Sequence, residues 1–197
     1  VGDITDWDTS VPLGDLYGAF YTDGDFRGIL AGPVTAVMPQ ASDVMIVSTV
    51  SGTLIMRGHP RQGGIFEAIG TSYALGQGAW CLGPSSRIFM LTPLGLMSLD
   101  PTPGSILTQI SRKKIPDELI GILYDVDDPL VSMIYDSRWN SIHIYIRGLQ
   151  EQAWLYDLDA GGFHRMEIGA YPHAVAEFSE FVTDSTSGIL LGGYSGL

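Results

Sequence analysis

Only one cysteine, Cys81, occurs in the 197 residues, so no disulfide can close within the chain. That usage agrees with an intracellular origin, or with a particle assembled in a cytoplasm and released later. Positive charge is scarce as well. Ten Lys and Arg stand against 22 Asp and Glu, a formal net charge of −12. Phosphate-backbone binding draws on clustered basic side chains, so no nucleic-acid partner is expected. The one basic cluster, Arg112-Lys113-Lys114, reads as a solvated turn. No apolar run approaches the ~20 residues of a membrane helix, and no basic stretch followed by an apolar one marks a signal peptide. No membrane partner is expected. The sequence starts at Val1 and stops at Gly196-Leu197 just after an apolar run, and both ends read as cut.

Enzyme signatures are missing too. The sequence holds no phosphate-binding Gly-x-x-x-x-Gly-Lys-Ser/Thr loop, no Gly-x-Ser-x-Gly elbow and no His-Glu-x-x-His helix. Gly76-Gln77-Gly78 belongs to no dinucleotide-binding pattern, because Cys81 stands where a third glycine would be needed. A flexible strand or a bulge is the simpler reading. The four histidines, His59, His143, His164 and His173, are far apart, and no zinc site is expected from them with a lone cysteine. His143 lies in an apolar strand and reads as a hydrogen-bonded core or sheet-face residue.

What the chain does have is apolar substance punctuated by turns. Hydrophobic residues make up 45 % and charged residues 16 %, enough to bury a core. The 25 glycines and 11 prolines are spread throughout, which suggests many short strands. The same order of events then recurs at a propeller-like period. One repeat runs through Val34–Met38, Val44–Ser48, Thr53–Met56 and Ile65–Ile69. Another runs through Tyr73–Trp80, Ile88–Leu91, Leu96–Leu99 and Ile106–Ile110. A third runs through Leu130–Tyr135, Ile142–Ile146, Ala153–Asp157 and Phe163–Ile168. A fourth begins with Ala174–Phe178 and Ile189–Leu191.

The turns support these joints. Val50-Ser51-Gly52, Thr92-Pro93 and Asp159-Ala160-Gly161-Gly162 all carry hairpin chemistry, the last with Tyr156 and Phe163 beside it. The second strand of each repeat is almost wholly apolar, as a strand covered on both faces would be. The expected fold is therefore all-β and propeller-like, with about four blades of four short antiparallel strands, either complete or a fragment of a larger propeller. The blades fall at about 33–70, 71–110, 130–168 and 173–197. A β-sandwich also uses short strands, but has no reason to keep the repeated four-strand order. Residues 1–32 hold a hairpin, Leu16–Tyr21 with Phe26–Leu30, that would either complete the last blade and close the ring or end a blade whose start is missing. Residues 111–129 form a connector with a short helix begun by Pro116-Asp117-Glu118 and an acidic turn at Asp125–Asp128.

Acidic residues offer the remaining route to chemistry. Asp6 with Asp8, Asp23 with Asp25, and Asp157 with Asp159 come in pairs, and Asp125, Asp127 and Asp128 could offer oxygens to calcium. They sit at turns, where aspartates cap backbone amides, so no catalytic residue, metal or cofactor is assigned. Among Trp7, Trp80, Trp139 and Trp154, candidates for a sugar-binding surface, Trp139 stands out. It sits in the polar turn Asp136-Ser137-Arg138-Trp139-Asn140, where a large aromatic is either an interface anchor or folded back over the sheet edge. Asp136, Arg138 and Trp139 are the candidate interface residues.

The run from Tyr135-Asp136-Ser137-Arg138-Trp139 through Ile142-His143-Ile144, followed by Ala153-Trp154-Leu155-Tyr156-Asp157 and Gly161-Gly162-Phe163, resembles propeller-type structural proteins of tailed-bacteriophage virions. Ser111-Arg112-Lys113-Lys114-Ile115-Pro116-Asp117-Glu118-Leu119 resembles a connector found in them. The resemblance covers about residues 85–170. It implies a non-enzymatic role in a head–tail connector, tail tube or nozzle. It implies a virion location, with other virion structural proteins as partners in symmetric multiple copies and no small-molecule substrate. A carbohydrate-acting propeller, binding or hydrolysing glycans, is the alternative, and a cellular scaffold propeller a third.

Overall fold

The first strand forms over Val34–Ala41, where burial alternates along the chain: Ala36, Met38 and Gln40 are covered on one face, and Val37, Pro39 and Ala41 are exposed on the other. A computed structural model describes residues 32–41, 43–58, 65–111, 119, 131–146, 152–168, 174–179 and 187–192. The hairpin expected in 1–32, the basic cluster, the acidic turn at Asp125–Asp128, and Trp7, His59 and His173 lie outside these residues. So does the expected helix of the connector, apart from Ser111 and Leu119.

The described residues are all-β with almost no helix. They form three four-stranded antiparallel sheets, each built in chain order without a crossover. The first contains β1 (Val34–Ala41), β2 (Val44–Thr49), β3 (Gly52–Arg57) and β4 (Ile65–Gly70). The second contains β5 (Trp80–Leu82), β6 (Ile88–Thr92), β7 (Gly95–Leu99) and β8 (Thr108–Gln109). The third contains β9 (Val131–Asp136), β10 (Ser141–Ile146), β11 (Gln152–Asp157) and β12 (Gly162–Glu167). A hairpin of β13 (Ala174–Ser179) and β14 (Ser187–Gly192) makes a two-stranded fourth sheet.

The sheets stack face to face, and the second is covered on both sides. Ile88 and Met90 point one way, into a seam with Met38, Ile46 and Ile55 of the first sheet. Phe89 and Leu91 point the other way, into a seam with Met133, Ile144 and Trp154 of the third. Every residue of β6, β7 and β10 is buried. This is why the second strand of each repeat reads as a continuous apolar run. Each large side chain so buried contributes about 1.5–3 kcal/mol, which favours stacking over any single sheet standing alone. The leading strands also adjoin: β5 lies against β9, and β9 against β13.

The repeat extends to individual atoms in two hairpins. Thr49 Oγ1 donates to Gly52 O at 3.1 Å and accepts from Ser51 N at 3.3 Å. Thr92 Oγ1 donates to Gly95 O at 2.8 Å and accepts from Leu94 N at 3.2 Å. Gly52 and Gly95 end these turns at φ 145° and 120°, which side chains rarely adopt. A Thr-x-x-Gly unit thus joins the middle strands of both sheets.

Two expected strands came out shorter. Tyr73–Ala79 is not regular strand, and β5 begins only at Trp80. Leu75 N donates to Leu91 O and Leu91 N to Ala79 O, at 3.1 and 2.9 Å, so Gly76-Gln77-Gly78 is looped out as a bulge between them. Likewise the regular strand within Ile106–Ile110 is only Thr108–Gln109, with Ile110 N adding one bond to Leu96 O at 3.0 Å; it follows a turn holding Pro101 and Pro103, and Ile106 is 71 % exposed.

The bulge joins neighbours on both sides. The Gln77 amide accepts from Val37 N at 2.9 Å and donates to Val37 O at 3.0 Å, as a strand backbone would. Gly78 O accepts from Met133 N at 2.9 Å. At Gly78 the chains are so close that an added Cβ would lie 2.1 Å from Val131 O. Gly78→Ala is therefore expected to cost about 1–3 kcal/mol by forcing β9 away. Gly162→Ala, where a Cβ meets nothing within 4 Å, should stay within about 0.5 kcal/mol of wild type. Urea denaturation of both variants checks the pair, and equal stabilities would refute the close-approach argument.

Candidate functional site

The turn between β9 and β10 is built by its own polar residues. Asp136, the last residue of β9, accepts from Arg138 N through Oδ1 at 2.9 Å, which closes the turn. Asn140 then takes a left-handed φ of 44°, a conformation asparagine tolerates better than most residues. Its side chain is held at both ends: Tyr135 Oη donates to Oδ1 at 3.1 Å, and Nδ2 donates to Asp159 Oδ1 at 2.7 Å. Its carbonyl accepts from Leu158 N at 3.1 Å.

These bonds tie the turn to the neighbouring one between β11 and β12. There Asp157 Oδ1 accepts from Asp159 N and Ala160 N at 2.8 and 2.9 Å, and Gly161 has φ 64°. Those two amides hold the Asp157 carboxyl below its ordinary value. The hairpin expected at Asp159–Gly162 is thus present, with Tyr156 and Phe163 in edge-to-face contact, centroids 4.8 Å apart. Asp136 and Asp157 both act as amide caps.

On this framework Trp139 is 68 % exposed, and the Arg138 side chain is about half exposed at 51 %. Asp136 sits beneath them, only 3 % exposed. It holds the turn and does not present itself to a partner. The other described tryptophans point elsewhere. Trp154 is buried between the second and third sheets, and Trp80 packs half-buried on the first seam. Trp154 therefore supplies no sugar-stacking surface.

Sequence reasoning read His143 as a hydrogen-bonded core or sheet-face residue but missed its neighbours. Strand register puts Asp136, Ser141, His143 and Tyr145 on one face of the third sheet, opposite the face that carries Ile142 and Ile144. All four are buried. His143 Nε2 lies 3.7 Å from Asp136 Oδ2, beyond hydrogen-bond length, and has no hydrogen-bond partner among the described residues. Its Nδ1 is 3.4 Å from Tyr145 Oη. Burial lowers the His143 value and outweighs the opposing pull of Asp136. Burial, with Asp136 adding to it, pushes Tyr145 up to about 12, so its hydroxyl keeps its proton. The signal was the period-2 spacing of Ser141, His143 and Tyr145 in an otherwise apolar strand.

Because the folded chain disfavours the imidazolium, the unfolded chain binds more protons once pH falls below the ordinary histidine value of 6.5. Stability should therefore decline on acidification through that range. The loss tied to Asp157 begins only below its ordinary 3.8. His143→Gln should flatten the decline between about pH 7.5 and 5. Thermal melts of both proteins across that range check it, and parallel curves would refute it.

No family model matches the chain, and no curated protein matches it. Among solved structures, the extracellular domain of a one-component system protein from B. thetaiotaomicron is similar, at 15 % identity and a TM-score of 0.45 over 79 % of this chain. The chain spans 20 % of that chain's length.

Proposed function

We propose that the chain is a non-enzymatic structural module of a large assembly, its stacked sheets being blades of a β-propeller, and that the assembly is a tailed-bacteriophage particle. The observation that carries the module reading is the locked Trp139 turn. A large aromatic stands 68 % exposed on a backbone fixed by Asp136 and Asn140. Binding through such a turn orders little that is not already ordered, so less of the contact energy is lost to entropy. Exposed tryptophan and arginine are also the side chains that dominate protein interfaces when buried by a partner.

The propeller reading is supported by meander sheets in chain order, adjoining leading strands and a middle sheet covered on both faces. The choice of assembly rests on the resemblance of residues 85–170 to phage structural proteins. Its partners are then other virion proteins, met in symmetric copies. The glycan-acting alternative has less behind it, since Trp154 is buried, Trp80 packs half-buried against the first seam, and Asp136 and Asp157 cap amides.

Cryo-electron microscopy of the native particle is the direct test. The expected result is several symmetric copies of the chain with Trp139 buried against another protein. A particle that lacks the chain, or holds it with Trp139 open to solvent in every copy, overturns the reading. With the contact partner in hand, Trp139→Ala should weaken binding by about 2 kcal/mol or more, roughly thirtyfold.

A further inference from the structure

The Trp139 turn is held by a carboxylate whose second oxygen faces a buried titratable ring. Asp136 Oδ1 takes the Arg138 amide at 2.9 Å and stands 3.8 Å from Arg138 Nε. Asp136 Oδ2 faces His143 Nε2 at 3.7 Å. That nitrogen has no hydrogen-bond partner among the described residues, on a ring only 8 % exposed. One carboxylate therefore links an exposed contact turn to a buried imidazole.

Among the described residues, the other titratable groups around the ring are few. Tyr145 shares its strand and face. Asp157 pairs with Ser141 at the turn end of the same face, and His164 lies opposite Leu155 one strand further out. Of the fourth sheet, whose β13 lies against β9, Glu177 is the one titratable residue in the two strands. Asp136 is the group within ion-pair distance of His143 among the described residues.

We propose that the protonation state of His143 sets how firmly Asp136 holds the Arg138–Trp139 turn, so that acid loosens the contact surface. This rests on reading Trp139 as a contact residue and adds a control to it. With a neutral ring, the Asp136 charge is directed to the Arg138 amide and guanidinium. A proton taken from solvent onto His143 places a cation beside Oδ2. The carboxylate is drawn toward Nε2, and its bond to the Arg138 amide lengthens. The same change releases the guanidinium, so the turn gains a free positive charge as it loses rigidity.

The test is a pH titration of the whole chain followed by NMR. The Arg138 amide and the Trp139 indole should shift with the same midpoint as the His143 ring, below 6.5, while the packed Trp80 indole stays still. His143→Gln should abolish both turn shifts, and Asp136→Asn should uncouple them from the ring. Turn resonances that stay fixed while His143 titrates, or that move with a different midpoint, overturn the proposal. The wild-type midpoints decide the matter even if a variant fails to fold. The two readings also fail separately. A common midpoint with Trp139 open in every assembled copy keeps the switch and removes the contact role, and a buried Trp139 with a fixed turn does the reverse.

Discussion

The stack of sheets depends on one short looped-out segment, Gly76-Gln77-Gly78. Each four-stranded sheet ends in a leading edge strand, and an edge strand leaves a row of amides and carbonyls unpaired by its own sheet. The bulge answers that need twice. The Gln77 side chain pairs with both polar groups of Val37 on β1, and the Gly78 carbonyl receives the Met133 amide of β9. Hydrophobic burial makes the sheets stack, but it is non-directional. The bulge supplies the direction, fixing where β1 and β9 sit against the sheet between them. Polar groups complete the joint deeper in. Thr53 Oγ1 donates to Ser72 O at 2.6 Å, and Ser48 Oγ accepts from Ala74 N at 2.7 Å.

Much of this was legible in the sequence because it is local. Strand positions followed from apolar runs between turn residues, and the three sheets have the strand order that the repeat implied. What escaped was set by contacts distant in sequence. Tyr73–Trp80 looks like a strand by composition, yet its middle leaves the ladder to serve β1 and β9. Nothing near Gly78 announces that Val131, more than fifty residues on, will press against it. The turn chemistry of Asp136 could be read from its neighbours, but its pairing with His143 could not. That pairing needs the register between β9 and β10, which a one-residue slip would abolish by moving every side chain to the other face.

The three sheets are not equivalent in the use they make of the same turn. In the second sheet, the connection between its first two strands holds Pro84–Ser86, with Ser85 and Ser86 in left-handed conformations at φ 56° and 59°. Its Ser86 carbonyl accepts from Gln40 Nε2 of the first sheet at 3.0 Å, so this turn is engaged in holding neighbours together. In the third sheet, the matching turn takes its described hydrogen bonds from its own sheet, through Asp136, Tyr135, Leu158 and Asp159. The second turn therefore serves cohesion between sheets, and the third is stiffened by bonds to its own sheet.

That difference bears on where a contact residue can be placed. A tryptophan on a turn that also clamps two sheets would couple every binding event to the packing of the stack. At Trp139 the described hydrogen bonds that stiffen the turn close within the third sheet. Two described links run from that turn toward the buried interior: Tyr135, which bonds Asn140 and packs on the seam with the second sheet, and Asp136, whose second oxygen looks inward at His143. A stiff surface turn with a route to the interior can respond to a change inside. Both properties come from the same residue: a carboxylate placed at the end of a strand caps the turn with one oxygen and leaves the other facing the buried side of the sheet.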